Sequence, residues 1–97
     1  MILVMEALTA EDVSGSKNLR VYTFGAGTTQ LTVVANRTNV YDVGEVVAVA
    51  QVGSIPVHYG NFEITQRRVF GIESSGMALG CVDLEVGREL SDDWQDA

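Results

Sequence analysis

Leu19-Arg20-Val21-Tyr22-Thr23-Phe24, Gly25-Ala26-Gly27-Thr28 and Thr29-Gln30-Leu31-Thr32-Val33-Val34-Ala35 follow one another without a gap. Side chains alternate between the two faces of a strand, so Leu19, Val21 and Thr23 point one way and Arg20, Tyr22 and Phe24 the other. Two nearby glycines satisfy hairpin geometry at low steric cost, and apolar and β-branched residues fill the return strand. The segment predicts an antiparallel hairpin.

Upstream, residues 2–8 read as a first strand, and Thr9 to Ser16 as a loop rich in acids, serine and glycine. Downstream come a polar loop over Asn36-Arg37-Thr38-Asn39-Val40 and a turn at Asp42-Val43-Gly44. Glu45 to Val52 is then a long strand, apolar on both faces and therefore central. Gly53-Ser54 and Gly60-Asn61 are turn signals on either side of a short extended piece, Ile55 to His58. Arg67 to Cys81 begins as a strand with Val69, Phe70 and Ile72, breaks at Glu73-Ser74-Ser75-Gly76, and resumes at Met77-Ala78-Leu79. The break is read as a small-residue loop on a rigid base, either a recognition site or a barrel corner. Val82 to Val86 reads as one helical turn or a last strand, with the turn preferred. No segment carries helical periodicity, so the class is all-β, and a small barrel has the advantage over a sandwich of leaving no open edge.

Ninety-seven residues suffice for one modest core, and 46% apolar against 20% charged residues indicates a chain that folds. Apolar Met1 to Met5 is followed by Glu6, with no cationic stretch before it and no run of the ~20 apolar residues that a membrane span needs. A soluble cytoplasmic protein with no membrane association is expected. Cys81 and His58 are the only residues of their kinds, which excludes an internal disulfide and a cysteine–histidine metal cluster. Cys81 is expected to be a small buried residue, and no set of residues suggests catalysis. No cofactor is expected. The net charge of −7 opposes indiscriminate nucleic-acid binding. It is unevenly spread: Val13 to Val40 holds Lys17, Arg20 and Arg37 with no acid, whereas from Glu73 onward seven acids face only Arg88.

Phe70-Gly71-Ile72-Glu73-Ser74-Ser75-Gly76-Met77 resembles the R-G-V-x-S-x-G-M-L signature of the tRNA-binding domain family. That family comprises stand-alone tRNA-binding proteins, appended domains of methionyl- and phenylalanyl-tRNA synthetases, and CsaA-like chaperones. Val33 to Val40 is similar to its I-V-C-G-A-P-N-V block, with Asn39 on the asparagine. Gly44 to Ala50 is similar to G-D-L-V-P-V-A, and Leu84-Glu85-Val86-Gly87 to E-L-G-L-G. Phe70 stands where the signature has arginine, and Asn18 where an earlier motif has lysine, with Lys17 one residue before it. The resemblance covers about Ile2 to Gly87. It implies a five-stranded oligonucleotide-binding (OB) barrel with short extra strands or turns over residues 1–90, followed by an acidic C-terminal tail, 91–97.

The function implied is non-catalytic, structure-directed RNA binding, with tRNA as ligand. Asn36, Asn39, Ser74 and Ser75 would bond to sugar and phosphate, the Gly76 backbone would approach closely, and Met77 would rest on a base or ribose. Lys17, Arg20, Arg37, Arg67 and Arg68 would neutralise phosphate. In an alternating strand Arg67 and Arg68 face opposite ways, so at most one of them reaches the ligand face. Asn39 is equally read as a cap of its own loop, and Met77 as core filler. A homodimer and an aminoacyl-tRNA synthetase partner go with the family. The alternative is a CsaA-like protein-interaction module that binds client protein, suggested by the negative charge and by Phe70. Trp94 in the tail is an anchor on the barrel end, a disordered aromatic, or a partner contact.

Overall fold

A computed structural model describes residues 1–38 and 40–96. Eight strands and no helix occur among them: β1 (Ile2–Asp12), β2 (Leu19–Ala26), β3 (Thr29–Asn36), β4 (Val46–Gln51), β5 (Arg67–Val69), β6 (Ile72–Ser74), β7 (Gly76–Cys81) and β8 (Glu89–Leu90). The main sheet runs β3-β2-β1-β4-β7, with β8 also on β1, and β5 and β6 form a separate hairpin. This is the all-β, five-stranded barrel with short extra strands that the sequence implies, built as a strongly curled antiparallel half-barrel.

The curl originates in β1. Its first half, Ile2 to Glu6, pairs with β4, and its second half, Glu6 to Asp12, pairs with β2. The register slips between Ala7 and Thr9, and such an extra residue bends a strand and increases its twist. Thr9 to Asp12, expected as loop, therefore continue the strand. The hairpin is as expected, except that pairing extends to Ala26 and Thr29 and leaves Gly27-Thr28 as a two-residue turn, with Gly27 at φ 60°.

Alternation sorts the apolar residues onto two faces. Leu3, Met5, Ala7, Tyr22, Phe24, Val33, Tyr41, Val47 and Val49 form the inner core. Tyr22 stacks on Phe24 with ring centroids 5.5 Å apart, and its hydroxyl accepts the Tyr41 N–H at 3.2 Å, which ties the β3–β4 connection over the barrel end. On the opposite face of β1 and β4, Ile2, Val4, Ala48 and Ala50 pack with Ile64 and Leu90, and Trp94 covers this second cluster. β4 is thus buried on both sides, as its uninterrupted apolar run predicts. Trp94 is an anchor: it stacks on Tyr59 at 5.7 Å, while the Asp92 carboxylate accepts the Ile55 N–H at 3.1 Å. Residues 55–58 form no strand, because their backbone bonds go to turns and to Asp92.

The two ends of the curled sheet meet at Ser74-Ser75-Gly76. The Ser75 N–H donates to the Thr32 carbonyl at 2.8 Å, and Ser74 Oγ accepts the Val34 N–H at 3.0 Å. Gly76 then passes so close to β4 that a Cβ there would lie 2.8 Å from the Ala50 carbonyl oxygen. Of the two readings of this stretch, the barrel corner is the structural one. The chain reverses earlier, at Phe70-Gly71, where φ is 50° and 78° and Val69 pairs with Ile72. Both central residues of this two-residue turn have positive φ, the pattern that asparagine and glycine usually supply.

These contacts set the expected cost of altering the corner. Ser74→Ala strands the Val34 N–H and is expected to lose about 1–3 kcal/mol. Gly76→Ala forces β4 and β7 apart and is expected to lose a similar ~1–3 kcal/mol. Each should lower the melting temperature by several degrees, whereas Ser75→Ala, which keeps the bonding N–H, should change it little. Thermal denaturation followed by far-UV circular dichroism checks all three.

Candidate functional site

Beside the corner, the end of β3, the β5–β6 hairpin and the start of β7 leave a groove between them. One cavity of about 200 Å³ is lined by Val34, Arg67, Ser74, Gly76 and Met77 together with residues 62–65. A second, of about 290 Å³, shares Val34, Arg67 and Met77 and continues along Asn36, Thr38 and Val69. A third recess, bounded by Asn18, Asn36, Arg37 and Thr38, prolongs it towards the β1–β2 loop. The three share residues in sequence, so they form one run along the β3 edge.

The predicted residues divide clearly against this groove. Asn36, Arg37, Arg67, Ser74, Gly76 and Met77 line it. Met77 is half-buried, with its side chain against the outer cluster as well as the groove. Ser74 is buried and its Oγ already accepts a backbone N–H, while Ser75 contributes its N–H to β3, so both serve the corner directly. Lys17 is exposed in the β1–β2 loop, and Arg37 Nη1 points at its carbonyl from 3.5 Å. Asn39 lies outside the described residues. Thr38, Val34 and the 62–65 segment are groove residues that the sequence reading omits. Thr38 adjoins Asn36 and Arg37 and was within reach of it, but the others arrive through tertiary packing.

The cations are not equivalent. Arg20 lies on the core-facing side of β2, as the alternation predicts, with its guanidinium 5.6 Å from the centre of the Tyr22 ring. Its Nε is 3.6 Å from Asp12 Oδ1, and Arg37 Nη2 reaches the same oxygen at 3.5 Å, so one carboxylate serves two arginines. Arg68 points away from the groove and is held by Glu73, Nε to Oε1 at 3.1 Å. Arg67, one residue earlier and on the other face, lines two of the cavities, and among the described residues it forms no ion pair. The expected split of the Arg67–Arg68 pair is what the strand produces.

No protein-family model matches this chain, and no curated protein matches it. The groove's chemistry therefore rests on its own side chains. These are amides, hydroxyls, guanidinium groups and apolar flats, joined in the first cavity by the Glu63 carboxylate. The stretch holding Asn36, Arg37 and Arg67 is the part suited to an anion-bearing chain with planar groups. Among the described residues no group of three His, Cys, Asp or Glu stands together to hold a metal ion. No helix among them is long and apolar enough to cross a membrane.

Away from the groove, Cys81 departs from expectation. It is exposed at the end of β7, where the strand pairs with Val47, and its thiol donates to Glu45 Oε2 at 2.7 Å. Desolvation, the bond to Glu45 and the neighbouring acids push the thiol up to about 11. The same bond, then the Asp42 backbone N–H, lowers the Glu45 carboxyl below its usual range. Cys81 is thus a protonated, weakly nucleophilic thiol despite its exposure.

Alkylation of Cys81 at pH 8 is expected to be slower than that of a free thiol, with its rate inflecting near 11 rather than near 9.0. Glu45→Gln should bring the inflection down; an unchanged inflection would separate the thiol from Glu45. Since folding raises the thiol pKa, its contribution to stability is complete below the ordinary value and is lost as pH rises through about 11. The lowered Glu45 pKa acts in the other sense: its contribution is present above the ordinary carboxylate value and fades as pH falls through the folded one.

Proposed function

We propose that this chain is a non-catalytic RNA-binding module whose groove along β3 takes a structured RNA, tRNA in the first instance. The observation that carries the reading is Arg67. It is a guanidinium without an ion pair among the described residues, lining two cavities of the groove in a chain of net charge −7. Asn36 and Thr38 on one side and Met77 on the other give that cation the company of hydrogen-bonding groups and an apolar flat. Phosphate contacts from Arg67, Arg37 and Lys17 would position the RNA, and the amides would fix its register. The likeness of the 70–77 and 33–40 segments to tRNA-binding domains points the same way. A cytoplasmic setting and a synthetase partner belong to this reading.

A second reading has its own observation. Val52, Ile55, Val57 and Phe62 are exposed apolar residues of one connecting segment, and Phe62 borders the first cavity. A client polypeptide, or a second copy of the chain in a homodimer, would cover them. In that case the acidic surface is no obstacle, and RNA affinity is weak or absent.

Titration of labelled tRNA at low and moderate salt distinguishes the two. With about three phosphates neutralised, log K is expected to fall with log salt at a slope of about −2 to −3, and Arg67→Ala should remove close to one contact from it. Arg68→Ala, on the other face, should leave the slope unchanged. Absence of tRNA binding at low salt, together with peptide binding, would replace the first reading by the second.

A further inference from the structure

The hairpin that carries Arg67 ends in a residue that the fold alone does not explain. Phe70 occupies the first central position of the β5–β6 turn with φ 50°, a conformation that a bulky L-residue rarely adopts. Gly71 beside it, at φ 78°, is the residue expected there, whereas Phe70 stands where asparagine fits without strain. Burial does not offset the strain, since Phe70 is 61% exposed. A strained aromatic held out in solvent at a loop tip is an outlier from which a binding role can be argued.

Its surroundings define the ligand. The ring lies over Gly15 in the β1–β2 loop, where even an added Cβ would stand 3.9 Å from Phe70 Cδ1 and Cε1. A Cβ on Gly71 would meet nothing within 4 Å, so that side of the tip is open. Lys17 and Asn18 follow in the same loop, and Asn18 shares the terminal recess of the groove with Asn36 and Arg37. Val69, immediately before Phe70, lines the middle cavity together with Arg67. The hairpin therefore places a cation in the lining of the groove and an aromatic face against the β1–β2 loop, whose Asn18 bounds the terminal recess. Exposed apolar residues also occur at Met1, Leu8, Val40 and Val43 and in the 52–62 segment. The loop under the ring, however, holds Gly15, Lys17 and Asn18, so a protein partner seated on Phe70 would find amides and cations there rather than an apolar centre.

We infer that Phe70 is a stacking platform for one unpaired base, at the end of the groove where Lys17 and Arg37 hold the adjoining phosphates. This rests on the RNA-binding reading and specifies it: the element recognised is a single-stranded loop or end, not a duplex. Stacking requires an unpaired π-face and tolerates any base, so it contributes affinity without sequence choice. It also gives a reason for phenylalanine at a turn where a residue better suited to the backbone would make the hairpin more stable.

The experiment compares wild type, Phe70→Asn, Phe70→Trp and Arg67→Ala, titrated with a labelled single-stranded RNA octamer and with a blunt RNA duplex, beside a thermal melt of each variant. Phe70→Asn is expected to raise the melting temperature while weakening octamer binding by roughly 5- to 150-fold, with the salt slope unchanged. Phe70→Trp should retain octamer affinity, and Arg67→Ala should lower the slope. Wild type that binds the octamer no more tightly than Phe70→Asn does would overturn the stacking role and leave the RNA reading intact. Equal losses on octamer and duplex would overturn it too, as would unchanged RNA affinity with a dimer lost in sedimentation. Failure of wild type to bind any RNA at low salt overturns both readings. A lower melting temperature for Phe70→Asn refutes the strain on which the inference is built.

Discussion

The structure depends on the meeting of β3 with the β6–β7 corner. A curled sheet of five strands has two free edges, and each presents a row of unsatisfied N–H and carbonyl groups. Here the ends are tied by the Ser75 N–H on Thr32 and by Ser74 Oγ receiving the Val34 N–H. The approach is possible only because the three residues at the crossing are small. Gly76 leaves no room for a methyl group against the Ala50 carbonyl, and the buried Ser74 replaces a strand partner with its own side chain. Once the corner is set, Tyr22, Phe24 and Val33 are enclosed, and the outer edge of β3 is left to form one wall of the groove.

That arrangement gives the same few residues two consequences. The Ser-Ser-Gly sequence closes the barrel and, by pulling β3 and β7 together, creates the recess that Arg67 and Met77 line. A substitution at Ser74 or Gly76 would therefore disturb stability and groove shape together, whereas Arg67, Asn36 and Arg37 are exposed enough to be altered alone. The electrostatics follow the same division. Asp12 restrains Arg20 and Arg37 at the loop end, Glu73 restrains Arg68 outside, and Arg67 is left to act on whatever enters.

What could be read from residue order was what depends on local period and local turns. The Leu19–Ala35 hairpin, the doubly buried β4 and the opposite facing of Arg67 and Arg68 all follow from alternation by two. Ser74-Ser75-Gly76 has the composition of a recognition loop and of a barrel corner alike, because small polar residues are also what a tight strand crossing requires. Only the contacts with β3 and β4 decide for the corner. The real turn at Phe70-Gly71 was hidden because its first residue is the wrong type for positive φ, so Val69-Phe70-Gly71-Ile72 looked like uninterrupted strand. Cys81 was expected inside because cysteine usually is, and nothing nearby in the chain announces Glu45, which meets it across the sheet. The two-residue β8 is too short to leave a periodic signal. Of the groove, the cations and amides were legible, but their joining into one run was not, because β3, β5 and β7 are brought together by the corner.

One further feature concerns the order in which the molecule can assemble. β1 is flanked by β4 and β2 over most of its length, but at Ile2 and Leu3 its remaining neighbour is β8, nearly ninety residues later in the chain. The amino group of Met1 lies 3.8 Å from Asp92, and Trp94 covers the outer cluster that Ile2 and Val4 begin. During synthesis, then, the start of β1 stays partly uncovered until residues 89–94 have left the ribosome. An apolar Ile-Leu-Val-Met sequence waits in water for its lid, and a nascent chain held short of residue 90 would present it to any passing chaperone or neighbour.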